Sequence, residues 1–263
     1  MDLQLQSKRA LVTGSTSGIG YAIAEALAKE GAFVIVNGRS SERVDKAVEK
    51  LRSASNAHIH GSAADLGTAE GVKQVIQQHP EVDILINNLG IFEPKPFEEI
   101  SDADWTRFFE VNVLSGVRLS RHYFPRMKEK NWGRIIFVSS ESALQIPAEM
   151  IHYGMTKTAQ LSIARGLAET TTGTNVTVNA ILPGPTASEG VTDFVNTLAR
   201  DRSVSREEFD KEFFNHVRPT SILKRFEQPE EIAALAVFVA SPRASGINGA
   251  ALRVDGGVVR SIG

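Results

Sequence analysis

The sequence predicts an α/β fold built on a doubly wound parallel sheet. Short apolar runs alternate along the chain with longer amphipathic or Ala-rich stretches, the pattern of buried strands joined by crossover helices. The first run, Ala10–Thr13, stops at Gly14 and passes through Gly-Ser-Thr-Ser-Gly-Ile-Gly20 into a helical pattern from Tyr21 to Lys29. No repeat, linker or low-complexity tract divides the 263 residues. The expected organisation is a single domain over 1–263, a length with ample core.

Composition narrows the class. Apolar residues at 42% and charged residues at 23% are ordinary for a globular protein. A net charge of −2 argues against nucleic acid or an anionic membrane as main partner. The absence of Cys excludes disulfides, thiolate catalysis and Cys-based zinc sites. No apolar run approaches the roughly 18 residues of a membrane span, and the first residues do not read as a signal peptide. A cytoplasmic location is the expectation.

The opening strand, glycine turn and helix form a phosphate cradle. Gly14 permits the tight turn, Gly18 lets backbone approach a pyrophosphate, and Gly20 lets helix and strand pack closely. The turn, Gly14, Ser15, Thr16, Ser17, Gly18, Ile19 and Gly20, is the first candidate cofactor segment. Gly31–Val36 is the second strand, and its end, Asn37-Gly-Arg-Ser40, carries Arg39 and no acid. An acid there would bond a free ribose 2′-hydroxyl, whereas Arg accommodates a 2′-phosphate. NADP(H) is therefore preferred over NAD(H), the alternative for Arg39 being a solvated loop charge.

Further elements follow in order. Ser41–Ser53 is an amphipathic helix with Val44, Ala47, Val48 and Leu51 on one face. Ala57–Gly61 is a third strand, leading to Asp65 and Leu66. His58 and His60 lack a third ligand and read as strand surface, so no metal is expected. A helix over 68–78 precedes the strand Val82–Ile86, which ends in Asn87-Asn88-Leu89-Gly90. Residues 101–130 read as one long helix, with Ser101 and Asp104 as a cap. Asn112 within it is either a functional amide or a satisfied one that kinks the helix. Gly133–Val138 is the fifth strand and ends at Ser139-Ser140, on the edge where doubly wound sheets bind ligands. Arg121, Arg126, Lys128, Lys130 and Arg134 read as a solvated helix end, the alternative being a dock for an acidic carrier protein.

Tyr153 to Leu167 is helical, which puts Tyr153 and Lys157 one turn apart on one face. A nearby ammonium favours phenolate, so the pair is a candidate acid–base couple with a depressed phenol pKa. Asn175–Leu182 is the sixth strand, stopped by Pro183-Gly184-Pro185. The excursion over 185–228 reads as a substrate lid. It carries amphipathic pieces around Val191, Phe194, Val195 and Leu198, and around Phe209, Phe213 and Val217. Pro229 opens a helix through Val239, and Ala250–Gly257 is a last strand and turn.

Taken jointly and in order, these motifs resemble the short-chain dehydrogenase/reductase family over nearly the whole chain. Thr13-Gly-x-x-x-Gly18-x-Gly20 is similar to its cofactor turn, and Asp65-Leu66 falls where that family contacts adenine. Asn88 and Gly90 match its N-N-A-G segment, from which Leu89 departs. Asn112, Ser140, Tyr153 and Lys157 fall on its catalytic tetrad, with Ser140 and Tyr153 13 residues apart. Pro183 and Gly184 match the turn beside the nicotinamide, with Thr186 and Ser188 following. The resemblance implies a seven-stranded Rossmann-type sheet, a homotetramer or homodimer, and reduction of a ketone or aldehyde or oxidation of the alcohol. It also implies that Asn112 holds a water behind Lys157. Glu141, directly after Ser140, is larger and more acidic than the family's usual residue there. Its alternatives are substrate selection or, the preferred expectation, a side chain in solvent. Substrates compatible with the scaffold include 3-oxoacyl thioesters, sugars or polyols, steroids and small xenobiotic ketones. A catalytically silent nucleotide-binding regulator is the alternative from another class.

Overall fold

In a computed structural model describing residues 1–55, 57–192 and 205–262, seven strands form one parallel sheet in the order β3-β2-β1-β4-β5-β6-β7. The strands are β1 (Arg9–Val12), β2 (Phe33–Gly38), β3 (Ile59–Ala63), β4 (Ile84–Asn87), β5 (Gly133–Val138), β6 (Val176–Pro183) and β7 (Ala251–Val254). The chain steps outward from β1 to β3, then returns to place β4 on the other side of β1. That reversal opens a crevice at the C-terminal ends of β1 and β4, where ligands of such sheets bind.

Helices cover both faces, which is why the central strands are apolar throughout. On one face, α1 (Gly18–Lys29), α2 (Ser41–Ala54) and α8 (Pro229–Ala240) pack Ile23, Leu27, Val44, Leu51 and Ile232 into one core against the sheet. On the other, α3 (Ala69–Gln78), α5 (Ser115–Glu129) and α6 (Ile151–Glu169) pack Val72, Val75, Leu119 and Tyr123 against Leu11, Ile35 and Leu85. Each fully buried Leu or Ile contributes roughly 1.5–3 kcal/mol. Local chemistry sets where helices start. Ser40 caps α2 through Arg43 N, and Thr68 caps α3 through Gly71 N. At α8, Pro229 sits in the first turn behind a Gln228–Glu231 capping box.

The strands match the expected ones with shifts of one or two residues. The expected continuous helix over 101–130 is broken. The capping box of Ser101 and Asp104 starts α4 (Asp102–Phe109), and a π-helical turn over Glu110–Leu114 separates it from α5. Asn112 lies in that turn, a wider backbone spiral of the kind frequent at functional sites. Its side chain bonds both backbone groups of Ile91, tying the helix to the segment after β4.

In the expected lid, α7 (Arg206–Glu212) runs into a second π-helical turn, Phe213–Val217. Phe209, Phe214 and Phe226 form a small separate core there, with Phe213 and Val191 packed on it, while Val217 is exposed. Phe194, Val195 and Leu198 lie outside the described residues. Arg134 corrects the expectation of a solvated basic cluster. It is fully buried in β5, donating to the carbonyls of Gly133 and Asn175 at 2.8 Å, and burial lowers its pKa to about 10. Arg121, Arg126, Lys128 and Lys130 are exposed. His58 and His60 are also exposed and pack against Phe33. Among the described residues, no three His, Cys, Asp or Glu side chains cluster as metal ligands, and no helix is long and apolar enough to cross a membrane.

Candidate active site

The sequence-predicted site segments that follow strands all leave the sheet at the same edge. The glycine turn follows β1, Arg39 follows β2, and Asp65 follows β3; Asn88, Ser140 and Gly184 follow β4, β5 and β6. A cleft of about 430 Å³ opens there, lined by Ile19, Asn88, Gly90, Ser140, Tyr153 and Lys157. Pro183, Gly184, Thr186 and Ser188 line the same cleft from the β6 side.

The glycine turn is built for backbone to approach an anion. Gly14 and Gly18 both have φ of +59°, a conformation L side chains rarely adopt. Ser17 stands at the N-cap of α1, yet its side chain caps nothing and accepts from Arg43 Nη2 at 3.2 Å instead. The first N–H groups of α1 thus receive no side-chain acceptor from the N-cap, as a bound phosphate requires. Asn88 holds the turn by donating from Nδ2 to the carbonyls of Thr13 and Gly14. Leu89 donates its N–H to Thr13 Oγ1, and its side chain packs toward the second core, so the departure from the family pattern is accommodated locally. These features fit a dinucleotide.

Two candidate residues are otherwise engaged. Ser15 is buried, its hydroxyl donating to Val12 O and accepting from Asn37 N while its own N–H donates to Asn37 O. It braces β1 against β2, and neither donor remains for a cofactor. Leu66 likewise buries its side chain in the second core, leaving only its backbone for contact, while Asp65 is exposed and accepts from Gly67 N. Arg39 is exposed at the end of β2.

At the other end of the cleft, Tyr153 and Lys157 share one face of α6. Lys157 Nζ lies 5.6 Å from the Tyr153 ring centre and donates to Val138 O at 2.9 Å. Burial lowers the Lys157 pKa to about 8. The Tyr153 phenol is pushed above its ordinary value, chiefly by burial. A hydrogen bond with Ser140 opposes that rise, the Glu141 carboxylate adds to it, and Arg218 opposes it. The expected depression by Lys157 is therefore reversed in this arrangement: desolvation outweighs an ammonium aimed at a backbone carbonyl.

Asn112 is a satisfied amide, since Nδ2 donates to Ile91 O and Thr156 Oγ1 and Oδ1 accepts from Ile91 N. A protein side chain, Gln160, also links Asn112 to Lys157. That side chain donates to Asn112 O and holds its Oε1 3.5 Å from Lys157 Nζ. Sequence reasoning passed over Gln160, although a polar residue three positions after Lys157 on a buried helical face was a usable signal.

Glu141 corrects the solvent expectation. It is buried, accepts from Ser140 Oγ at 3.2 Å through one oxygen and from Arg218 Nε at 3.0 Å through the other. Arg218 also donates to Glu149 at 3.0 Å. No local signal marked Arg218, which comes from 77 residues away.

Glu227 is a third missed group. It is buried beside Gly184, accepting that residue's N–H at 3.0 Å, and burial raises its pKa from 4.5 to about 7. A carboxyl with a raised folded-state pKa adds stability that is complete below its unfolded value and lost as pH rises through the folded value. Between about pH 5 and pH 8, wild type should lose up to about 3 kcal/mol relative to Glu227→Gln. Paired thermal melts at the two pH values check this, and a constant difference between the proteins would contradict it.

The chain is similar in sequence and fold to known proteins. The family model for short chain dehydrogenase matches residues 8–199. An uncharacterized oxidoreductase of Bacillus subtilis, YvaG, is 54% identical over 263 residues, covering all of both chains. The 3-oxoacyl-[acyl-carrier-protein] reductase of Aquifex aeolicus is 33% identical, over 98% of this chain and 100% of its own. Among solved structures, L-sorbose reductase from Gluconobacter frateurii, complexed with NADPH and L-sorbose, is 32% identical over the full length of both chains with a TM-score of 0.94. By the matched model, the full-length relatives and the sheet order, this protein belongs to the short-chain dehydrogenase family of oxidoreductases.

Proposed function

We propose that the protein interconverts a ketone or aldehyde and the corresponding alcohol with NADP(H), using Tyr153 as general acid and base. One observation carries the reading: Ser140, Tyr153 and Lys157 meet in the same cleft as Gly90, Gly184 and Ser188, beyond the open end of a phosphate-binding turn. When bound, the reduced nicotinamide supplies the hydride that the carbonyl carbon takes up. Thr186, Ser188 and the backbone at Pro183 and Gly184 would hold the cofactor at that end, the glycine turn its pyrophosphate, and Arg39 its 2′-phosphate.

The chain's own residues handle the proton. Tyr153 gives its hydroxyl proton to the carbonyl oxygen, and Ser140, its hydroxyl turned from Glu141, donates to the same oxygen as charge develops on it. A phenol above its ordinary pKa holds that proton firmly until the oxygen becomes basic. Lys157, with its pKa lowered to about 8, would restore the proton by turning its ammonium from Val138 O to the phenolate, and would take its own back from solvent. Gln160 and Asn112 position Lys157.

Cofactor choice rests on the end of β2. Gly38 and Arg39 stand where an acid would serve NAD(H), and Arg43, one turn into α2, lies at the glycine turn through its bond to Ser17. Charge-assisted contacts of this kind contribute about 1.5–3 kcal/mol each. We expect kcat/KM to be at least about tenfold higher with NADPH than NADH, and Arg39→Asp to reverse the order. Initial rates over a carbonyl panel with both cofactors test the reading: no reduction of any carbonyl would refute it, and a preference for NADH would refute the cofactor assignment.

A further inference from the structure

The proton couple leaves a charged cluster beside it unexplained. Arg218 is buried and donates through Nε to Glu141 and through Nη1 to Glu149, both at 3.0 Å. Glu141 is buried as well, whereas the Glu149 side chain is 42% exposed. All three line the cleft with Ser140 and Tyr153, and the second oxygen of Glu141 accepts from Ser140 Oγ. One cation is thus answered by two carboxylates, and one of them, Glu141, is hydrogen-bonded to the Ser140 hydroxyl. Elsewhere in the described lining, Glu212 adds another carboxylate, and Lys157 turns its ammonium to Val138 O.

Building on the oxidoreductase reading above, we propose that the Glu141–Arg218–Glu149 cluster selects the substrate. It favours a neutral carbonyl compound bearing hydroxyl groups within two carbons of the carbonyl, or the matching polyol, and rejects one bearing a carboxylate there.

The charge balance is the reason. A buried guanidinium that lacked partners would draw in a substrate carboxylate to offset its own desolvation. Arg218 already has its counter-charges from the protein. An incoming carboxylate would face Glu149 and the buried Glu141, and such like-charge contacts lower affinity steeply. A hydroxyl, by contrast, donates to a carboxylate oxygen and makes a charge-assisted bond without adding charge. A site built to accept from a substrate hydroxyl also discriminates against the analogue that lacks it. The aromatic part of the lining suits a carbon skeleton: Phe213 stacks on Phe226 with ring centres 5.0 Å apart, and both face the cleft.

The cluster also pins the segment after α7 to the end of β5, so the test must separate selection from pinning. With the full chain and NADPH, kcat/KM is measured for 4-hydroxy-2-butanone and acetoacetate, which share a skeleton and differ in hydroxymethyl against carboxylate. L-sorbose serves as a polyhydroxy ketone and 2,3-butanedione as an uncharged reference. We expect the two hydroxylated ketones to exceed acetoacetate by about 100-fold. Glu149→Gln, at the exposed arm of the cluster, should raise the acetoacetate value about tenfold while lowering that for 4-hydroxy-2-butanone. A mere pin would move both substrates in parallel. Turnover of 2,3-butanedione together with a preference for acetoacetate, or an unchanged ratio in Glu149→Gln, overturns the specificity assignment and leaves the oxidoreductase reading standing. Failure of wild type to reduce any of the four overturns both. Should Glu149→Gln not fold, the wild-type ranking alone still decides.

Discussion

Tyr153→Phe is expected to lower kcat by roughly 10²–10⁴-fold while changing cofactor affinity only a few-fold. The substitution removes one hydroxyl and keeps the ring, which is half-buried on α6 with the Lys157 ammonium 5.6 Å from its centre. The helix is held by other bonds. Thr156 donates to the Tyr153 carbonyl, and Ser139 donates to the Lys157 carbonyl, neither through the phenol. Folding and the phosphate cradle should therefore survive, and the loss should fall on proton transfer alone. Steady-state rates combined with a cofactor titration separate the two effects. Turnover at the wild-type rate would rule out Tyr153 as the proton donor, and an equal fall in cofactor affinity would point to a structural role.

Gly20→Ala is expected to damage both the fold and the cofactor turn. An added Cβ would lie 2.4 Å from Gly14 O and 2.5 Å from Asn88 Nδ2. Neither neighbour can yield cheaply, because Asn88 Nδ2 donates to Gly14 O at 3.0 Å and to Thr13 O at 2.9 Å. Relief requires the turn to move away from α1, which costs roughly 1–3 kcal/mol of stability by overpacking. It also spoils the alignment of turn and helix N-terminus on which anion binding depends. We expect at least a tenfold loss of cofactor affinity together with a lowered Tm. A variant with wild-type affinity and wild-type Tm would show that the close packing has no role in either.

Much of this site was legible before folding was considered. Chemistry that depends on neighbours in the chain is visible in a sequence: the glycine turn is contiguous, Tyr153 and Lys157 are one helical turn apart, and each strand end is marked by the residue after an apolar run. The strands differed from expectation by only a residue or two, because covering both sheet faces makes the apolar runs themselves the strands. The helix over 101–130 misled because its apolar periodicity continues through residues 110–114. What breaks it is the bonding of Asn112 to Ile91, 21 residues away in sequence.

Three decisions belonged to the tertiary structure alone. Lys157 and Tyr153 have the spacing of a coupled pair, yet burial sets their protonation, moving the phenol up and the ammonium down. Glu141 looked like a solvent-facing acid until the fold placed Arg218 against it, and Glu227, which nothing in the sequence marked, is buried against the Gly184 N–H. Arg134 changed from a surface cation into a buried donor to three backbone carbonyls. The common reason is that solvation and long-range charge pairing depend on which distant segments close over a group. The residues of the chain determined the sheet, the cradle and the acid–base spacing; the packed structure decided how each group is solvated and which distant groups it pairs with.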